Sequence, residues 1–211
     1  VVSCSKYWSS YYNKKGFKNA ITIFNGFDIE SMDNALILAK NSLVLSRYGL
    51  TSKQYFHLGS YGPSKGQKVA FNHLKKFGLP MIATSSSKKV LIEGMEGVKF
   101  INANFNEYNI LLKNAKATIC MSEFKEGWCR VLHEAAIHGT PILGSGLGGM
   151  RELLQLSSVR PSTFDTLNKD VIEKLAQPKL SDDIQKNFAK FTSEKFKLKW
   201  FEVVSKYLND Q

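Results

Sequence analysis

The stretch from Ser122 to Gly149, SEFKEGWCRVLHEAAIHGTPILGSGLGG, decides how the rest of the chain reads. Just before it, Thr118 to Met121 is short, apolar and β-branched at its start, which predicts a buried strand. Ser122 to Gly127 is a polar loop. Cys129 to His138 reads as a helix with Val131, Leu132, Ala135 and Ala136 on one side. Gly139, Thr140 and Pro141 stop that helix, because glycine accepts the left-handed cap and proline cannot continue the ladder. Ile142 and Leu143 predict a second short strand. Gly144, Gly146, Gly148 and Gly149 then form a loop in which backbone can approach a ligand closely.

Two carboxylates frame this unit, Glu126 in the loop and Glu134 inside the helix, with seven residues between them. The backbone N–H groups of Gly127, Trp128 and Cys129, together with those of Arg130 and Val131, face outward at the helix N-terminus. Such a position suits a phosphate or a polarised sugar oxygen. Glu134 lies about two turns further on and reaches a different part of a ligand. A lone pair of glutamates at this spacing is otherwise an ordinary solvated helix face.

The full pattern, S-x-x-x-E-G-W-x-R-V-x-x-E-A-x-x-x-G-T-P-I-L-G-S-x-x-G-G, resembles the signature of retaining GT-B glycosyltransferases in order and spacing. Ile21 to Asp28, ITIFNGFD, is similar to the Asn-Gly turn at which the acceptor domain of those enzymes ends. The resemblance implies an α/β fold, a Rossmann-like parallel sheet flanked by helices, forming the C-terminal half of a GT-B fold with the acceptor domain largely absent. It also implies the division of the chain. Residues 1–50 would close the acceptor domain or link to it, 51–180 would form the nucleotide-sugar-binding domain, and 181–211 would be helices packing back.

Residues 59–66, GSYGPSKG, form a glycine loop between a strand predicted over Gln54 to Leu58 and a helix over Gln67 to Phe77. That arrangement places an anion at a helix N-terminus. The family carries G-R-x-x-x-x-K-G here; Gly59, Lys65 and Gly66 match it, and Ser60 stands where the arginine would be. Lys65 is thereby implied to hold the diphosphate, and Lys68, Lys88 or Arg130 are candidates to replace the absent arginine. Ser85 to Ser87 form a polar loop after a strand over Leu79 to Thr84, and a short helix is expected over 88–94. A strand over Val98 to Ile101 leads into a loop whose Asn104 and Phe105 are candidate base contacts. By the same resemblance Glu134 takes the ribose hydroxyls and Glu126 a sugar hydroxyl, so Glu126 and Lys65 are the candidate catalytic residues.

Helices are expected over Asp28 to Leu50, Glu107 to Ala115, Met150 to Leu156, Asp170 to Ala176, Ser181 to Phe191 and Glu194 to Leu208. Alternating strands and helices mean a parallel sheet in an α/β sandwich. Each singled-out loop follows a strand, and ligands of such folds sit outside the carboxyl ends of strands.

Lys and Arg number 29 against 18 Asp and Glu, a net charge of +11. That surplus suits an anionic partner. The lysines are scattered, so no nucleic-acid stripe is expected. The expected donor is a UDP-, GDP- or other nucleoside diphosphate-sugar, with a glycan or lipid-linked acceptor and no cofactor or metal; neither D-x-D nor a His/Cys cluster occurs. Two other readings stay open: a nucleotide-sugar-binding module without activity of its own, and a basic protein of nucleic-acid or membrane surfaces. Cys4, Cys120 and Cys129 are odd in number and lack metal spacing, as reduced thiols of a cytoplasmic protein would. A peripheral position at a membrane surface is compatible with the charge. The chain opens on Val1 with no signal-peptide pattern, and its start reads as mid-protein sequence. The four histidines form no metal spacing and are expected to be structural or solvated.

Overall fold

The computed structural model describes residues 1–38, 40–62, 64–85, 94–175 and 179–209. The chain begins with β1 (Val2–Ser3), α1 (Lys6–Lys14) and β2 (Ile21–Thr22), the two strands pairing in parallel as a small sheet of their own. Two helices follow, α2 (Ile29–Leu38) and α3 (Asn41–Arg47), where the apolar pattern predicted a single one. Lys40 is extended between them, and the second helix turns to bury Val44 and Leu45 against Leu50 and Tyr55.

The main sheet comprises β3 (Phe56–Ser60), β4 (Met81–Thr84), β5 (Val98–Ile101), β6 (Ala117–Cys120) and β7 (Ile142–Gly144). Every pairing is parallel and the spatial order is β5-β4-β3-β6-β7. β4, β6 and β7 are buried throughout, as strands covered on both faces must be. β5 lies at an edge, and Lys99 there is exposed. Strand alternation sends Met81 and Ala83 into one core cluster and Ile82 into the other.

The helices of this region are α4 (Gln67–Leu74), α5 (Phe105–Asn114), α6 (Arg130–Ile137), α7 (Met150–Leu156), α8 (Leu167–Leu175), α9 (Asp182–Ala189) and α10 (Ser193–Asn209). α4 ends in a tight 3-10 turn, Lys75–Phe77, closed by Gly78 in the left-handed conformation. Ser181 caps α9 by accepting from the Ile184 N–H. The expected elements are thus present to within a few residues, apart from the split helix; the short helix expected over 88–94 lies almost wholly outside the described residues.

The order of the sheet fixes where a ligand can sit. From β3 the chain winds outward through β4 and β5, then returns to the other side of β3 as β6 and continues to β7. The direction reverses between β3 and β6. Loops leaving the carboxyl ends of those two neighbours must diverge and leave a crevice.

Three histidines are built into this frame as neutral groups. His57 is fully buried in β3, its Nδ1 accepting from the Gly59 N–H at 3.4 Å, and burial holds its pKa down at about 3. His133 accepts at Nδ1 from Trp128 Nε1, faces the Phe188 carbonyl through Nε2, and stacks on Phe27 at 4.1 Å. His138 bonds Asn109 at 2.7 Å. Burial lowers both of these to about 4. In the unfolded chain each takes a proton near the ordinary value of 6.5, so the unfolded state binds more protons below that pH. Stability is therefore complete above pH 6.5 and is lost as pH falls toward about 4, with each histidine worth up to roughly 1.4 kcal/mol per pH unit. Glu134, whose carboxyl is raised by burial, acts in the opposite sense and offsets part of this. Melting temperatures between pH 7 and 4 should drop well before ordinary carboxylates titrate, and His138→Gln should flatten the slope.

Candidate functional site

Glu126 and Lys65 meet across the crevice between β3 and β6. The chain leaves β6, makes the 121–129 loop and enters α6; on the other side it leaves β3 and makes the 61–66 loop into α4. The loops interlock through backbone. Gly66 has φ of +68°, and a Cβ there would lie 2.0 Å from the Met121 carbonyl oxygen. The Glu123 N–H donates to the Ser64 carbonyl at 2.9 Å. With the loops so close, Lys65 Nζ donates to Glu126 Oε1 at 2.7 Å, and Ser122 Oγ donates to the same oxygen at 2.5 Å. The Glu126 side chain is only 10% exposed and that of Lys65 33%, so the pair is half in solvent on one side. The Phe124 ring lies 4.7 Å beneath the Lys65 ammonium.

The glycine loop after β7 holds Glu126 from behind. The Glu126 N–H donates to the Leu147 carbonyl, and its own carbonyl accepts from the Gly149 N–H at 2.9 Å and from Trp8 Nε1 at 3.0 Å. Sequence reasoning assigned the closeness of these glycines to a ligand; in the structure it is taken up by protein. A Cβ on Gly148 would meet the Glu126 carbonyl oxygen at 2.4 Å, and one on Gly149 the Gly127 carbonyl oxygen at 2.0 Å.

Gly127, Trp128 and Cys129 lead into α6. Trp128 is buried among Phe24, Phe191 and His133, so its ring is part of the core. Cys129 is the N-cap residue and makes no side-chain cap bond. The first-turn N–H groups of Arg130 and Val131 have no partner within the helix by its geometry. A small cavity of about 30 Å³ gathers Gly59, Ser60, Lys65, Glu126, Cys129 and Val131, together with Ser122 and Gln67. Gln67 Nε2 donates to the Ser60 carbonyl, which ties the glycine loop to α4.

Glu134 faces the adjoining side of α6. Tyr108 Oη donates to its Oε2 at 2.6 Å and Arg130 Nη2 to its Oε1 at 3.3 Å. Burial raises the Glu134 carboxyl above the ordinary 4.5, and the two donors offset that only in part. Arg130 also lies over the Phe27 ring at 4.7 Å.

The remaining candidates fall elsewhere. Asn104 caps α5 reciprocally with Glu107, so its side chain and N–H are both engaged in the cap. Phe105 opens that helix and is 53% exposed. The Lys68 ammonium lies toward Gly94, with Glu96 close by, while Lys88 and the 86–87 part of the serine loop lie outside the described residues. Sequence reading gave no role to Ser122, Tyr108 or Trp8. Ser122 sits one helical turn's spacing before Glu126, a signal that was present; Tyr108 and Trp8 are brought in by tertiary packing alone. Among the described residues no group of three or more His, Cys, Asp and Glu could hold a metal, and no helix is long and apolar enough to cross a membrane.

The fold has counterparts among solved structures. Sucrose-phosphate synthase from Thermosynechococcus elongatus superposes with a TM-score of 0.78 at 16% identity, over 100% of this chain and 59% of that one. A glycosyltransferase from Rickettsia africae gives 0.80 at 13% identity, over 100% and 64%. Anabaena HepE, solved in complex with UDP-glucose, gives 0.75 at 19% identity, over 98% and 63%. The fold is that of GT-B glycosyltransferases. No family model and no curated protein matches the sequence. The chain spans about 59–64% of the length of these three GT-B structures.

The Lys65–Glu126 contact is the part of this GT-B crevice most open to test. Lys65→Met leaves a nearly buried carboxylate with Ser122 as its remaining side-chain donor. Removing one member of a fully buried pair costs about 3–5 kcal/mol, and the exposed flank of Lys65 reduces that here to roughly 1–3 kcal/mol. Adding Glu126→Gln to Lys65→Met should recover part of the loss, giving a coupling of about 1 kcal/mol in a denaturant double-mutant cycle. Additive losses would mean the two groups are not coupled.

Proposed function

We propose that the chain binds a nucleoside diphosphate-sugar at the β3/β6 crevice and is the donor-binding part of a glycosyltransferase that transfers the sugar with retention. The observation that carries this is the meeting of Lys65, Glu126 and Ser122 at the topological switch point beside the open first turn of α6. The fold supports the same class, and one of its structural neighbours was solved with UDP-glucose.

In this reading Lys65 is the cation on which the diphosphate settles. When it leaves Glu126 for the phosphate, the carboxylate is freed to accept from a sugar hydroxyl, so one ligand satisfies both ends of the pair. The amides of Gly127 to Val131 and the positive end of α6 add fixed dipoles where charge grows as the anomeric C–O bond to phosphate breaks. A new C–O bond forms to the acceptor hydroxyl, whose proton leaves with the diphosphate. Glu134, already oriented by Tyr108 and Arg130, accepts from the ribose hydroxyls. The acceptor is a glycan or a lipid-linked acceptor, and the enzyme works in the cytoplasm or peripherally at a membrane surface. No metal is needed, because Lys65 and the amides neutralise the diphosphate.

Because the chain spans 59–64% of those three neighbours, a donor-binding module that turns over only together with further protein is the second reading. Activity of the chain alone on any acceptor would exclude it. Steeply salt-dependent binding to nucleic acid or to anionic vesicles would instead favour a basic surface-binding protein.

Calorimetry with UDP, GDP and their sugar conjugates tests the proposal, and no binding at millimolar ligand would overturn it. EDTA should leave the affinity unchanged. Glu134→Gln should weaken nucleotide and nucleotide-sugar alike by about ten-fold, since charge-assisted bonds to a diol are worth about 1.5–3 kcal/mol. Glu126→Gln should spare the free nucleotide and weaken only the conjugate. Equal losses in both variants for both ligands would reverse the assignment.

Glu134 also sets a pH dependence. Its carboxyl must be ionised to accept from both hydroxyls, and its pKa is raised. Nucleotide affinity should therefore fall on acidification at a pH above the ordinary carboxylate range, and Glu134→Gln should abolish that dependence. An affinity that is flat down to the onset of unfolding would contradict this role.

A further inference from the structure

A second cavity lies on the other side of the Glu126 loop. It has a volume of about 390 Å³, within the range of small-molecule sites, and is formed between α1 and α7. Tyr7, Tyr11 and Lys14 succeed one another along one face of α1, at the spacing that aligns side chains on a helix. Arg151 and Glu152 face them from α7, and Lys6 closes one end. Gly148 forms part of the lining. Because Gly148 is bridged to Glu126, the cavity and the donor crevice share one backbone segment.

The charges in the cavity are unequal. Lys6, Lys14 and Arg151 are three cations with no ion-pair partner among the described residues. Lys125, outside the lining, lies 5.8 Å from the Tyr7 ring centroid. The one carboxylate, Glu152, is committed to the start of α1: its two oxygens accept from the N–H groups of Lys6 at 3.1 Å and Tyr7 at 2.6 Å. Those bonds staple α7 to α1 and fix the cavity's shape, and they leave lone pairs on Glu152 that can still accept from a hydroxyl. Lysines on the α1 wall, an arginine facing them from α7, two amphipathic aromatic side chains and a held carboxylate are complementary to a ring that carries hydroxyls, a C–H face and an anionic group.

We propose that this cavity is a second ligand site, for a small anionic saccharide, a sugar unit bearing a phosphate or a carboxylate. Arg151 and Lys14 take the anionic group, Tyr7 and Tyr11 pack on the ring, and Glu152 accepts from a hydroxyl. The binding proposed here is independent of the donor reading.

Glucose 6-phosphate, glucuronate, glucose and inorganic phosphate, titrated into the chain and followed by calorimetry, test the idea. Glucose 6-phosphate or glucuronate should bind more tightly than glucose and phosphate do, and whichever of the two binds more tightly identifies the anionic group. The double variant Lys14→Gln/Arg151→Gln should weaken that binding at least ten-fold while leaving UDP affinity unchanged. Tyr11→Ala, at an exposed ring, should weaken the saccharides without altering phosphate. Lys65→Met should not change saccharide binding, which separates this cavity from the donor crevice. The proposal is overturned if no anionic sugar binds at roughly 10 mM, if phosphate alone binds as well, or if the double variant leaves the affinity intact. Failure of UDP to bind would sink the donor reading and leave this result standing.

Discussion

Everything near the crevice depends on how Glu126 is held. Its N–H and carbonyl are fixed by Leu147, Gly149 and Trp8, and its carboxylate by Lys65 and Ser122. These partners come from β1–α1 country, the loop after β3, the loop after β6 and the loop after β7. A single residue, through its backbone and its nearly buried carboxylate, therefore joins four parts of the chain. A charge so placed is tolerated only because its hydrogen bonds are made, and making them requires every one of those loops to be in position. The same constraint explains the glycines: Gly66, Gly148 and Gly149 stand where a Cβ would collide with the backbone of Met121, Glu126 or Gly127.

Much of this was legible in the sequence because the sheet is parallel. Fully covered strands such as Met81–Thr84 and Ala117–Cys120 read as short apolar runs, and the helices between them carry one apolar face each. Caps sharpened the boundaries, as at Ser181 and Gly78. The break between α2 and α3 was not legible, since the apolar spacing runs on through it and only the packing of Val44 and Leu45 turns the chain. At the crevice, the spacing of Glu126 and Glu134 and the position of Lys65 could be read directly. The ion pair between Lys65 and Glu126 could not, because it joins residues 61 positions apart in sequence. Tyr108 and Trp8 were silent for the same reason, and the reciprocal cap that Asn104 makes with Glu107 was not read from the sequence.

The histidines illustrate a different limit. Composition showed that they had no metal spacing, which is all that spacing can show. That His57, His133 and His138 are held neutral follows from burial, aided at His133 by the Arg130 charge and at His138 by Lys113 and Lys53. His133 in particular ties Trp128, Phe27 and Phe188 together, so the loop that carries Glu126 is connected through one aromatic cluster to α9.

The three tryptophans give the molecule an optical property. Trp8 donates its indole N–H to the Glu126 carbonyl, Trp128 follows Glu126 by two residues and is buried against His133, and Trp200 stands apart on α10, 39% exposed. Two of the three indoles therefore bracket the loop at the centre of the crevice, in unlike surroundings: one on the α1 side and one in the aromatic core. Indole emission shifts with local polarity and with the loss of a hydrogen bond. A ligand that displaces the Glu126 loop by a fraction of an ångström will change the fluorescence of Trp8 and Trp128 while Trp200 supplies a constant background. The chain thus carries its own label-free reporter of what happens on either side of that loop.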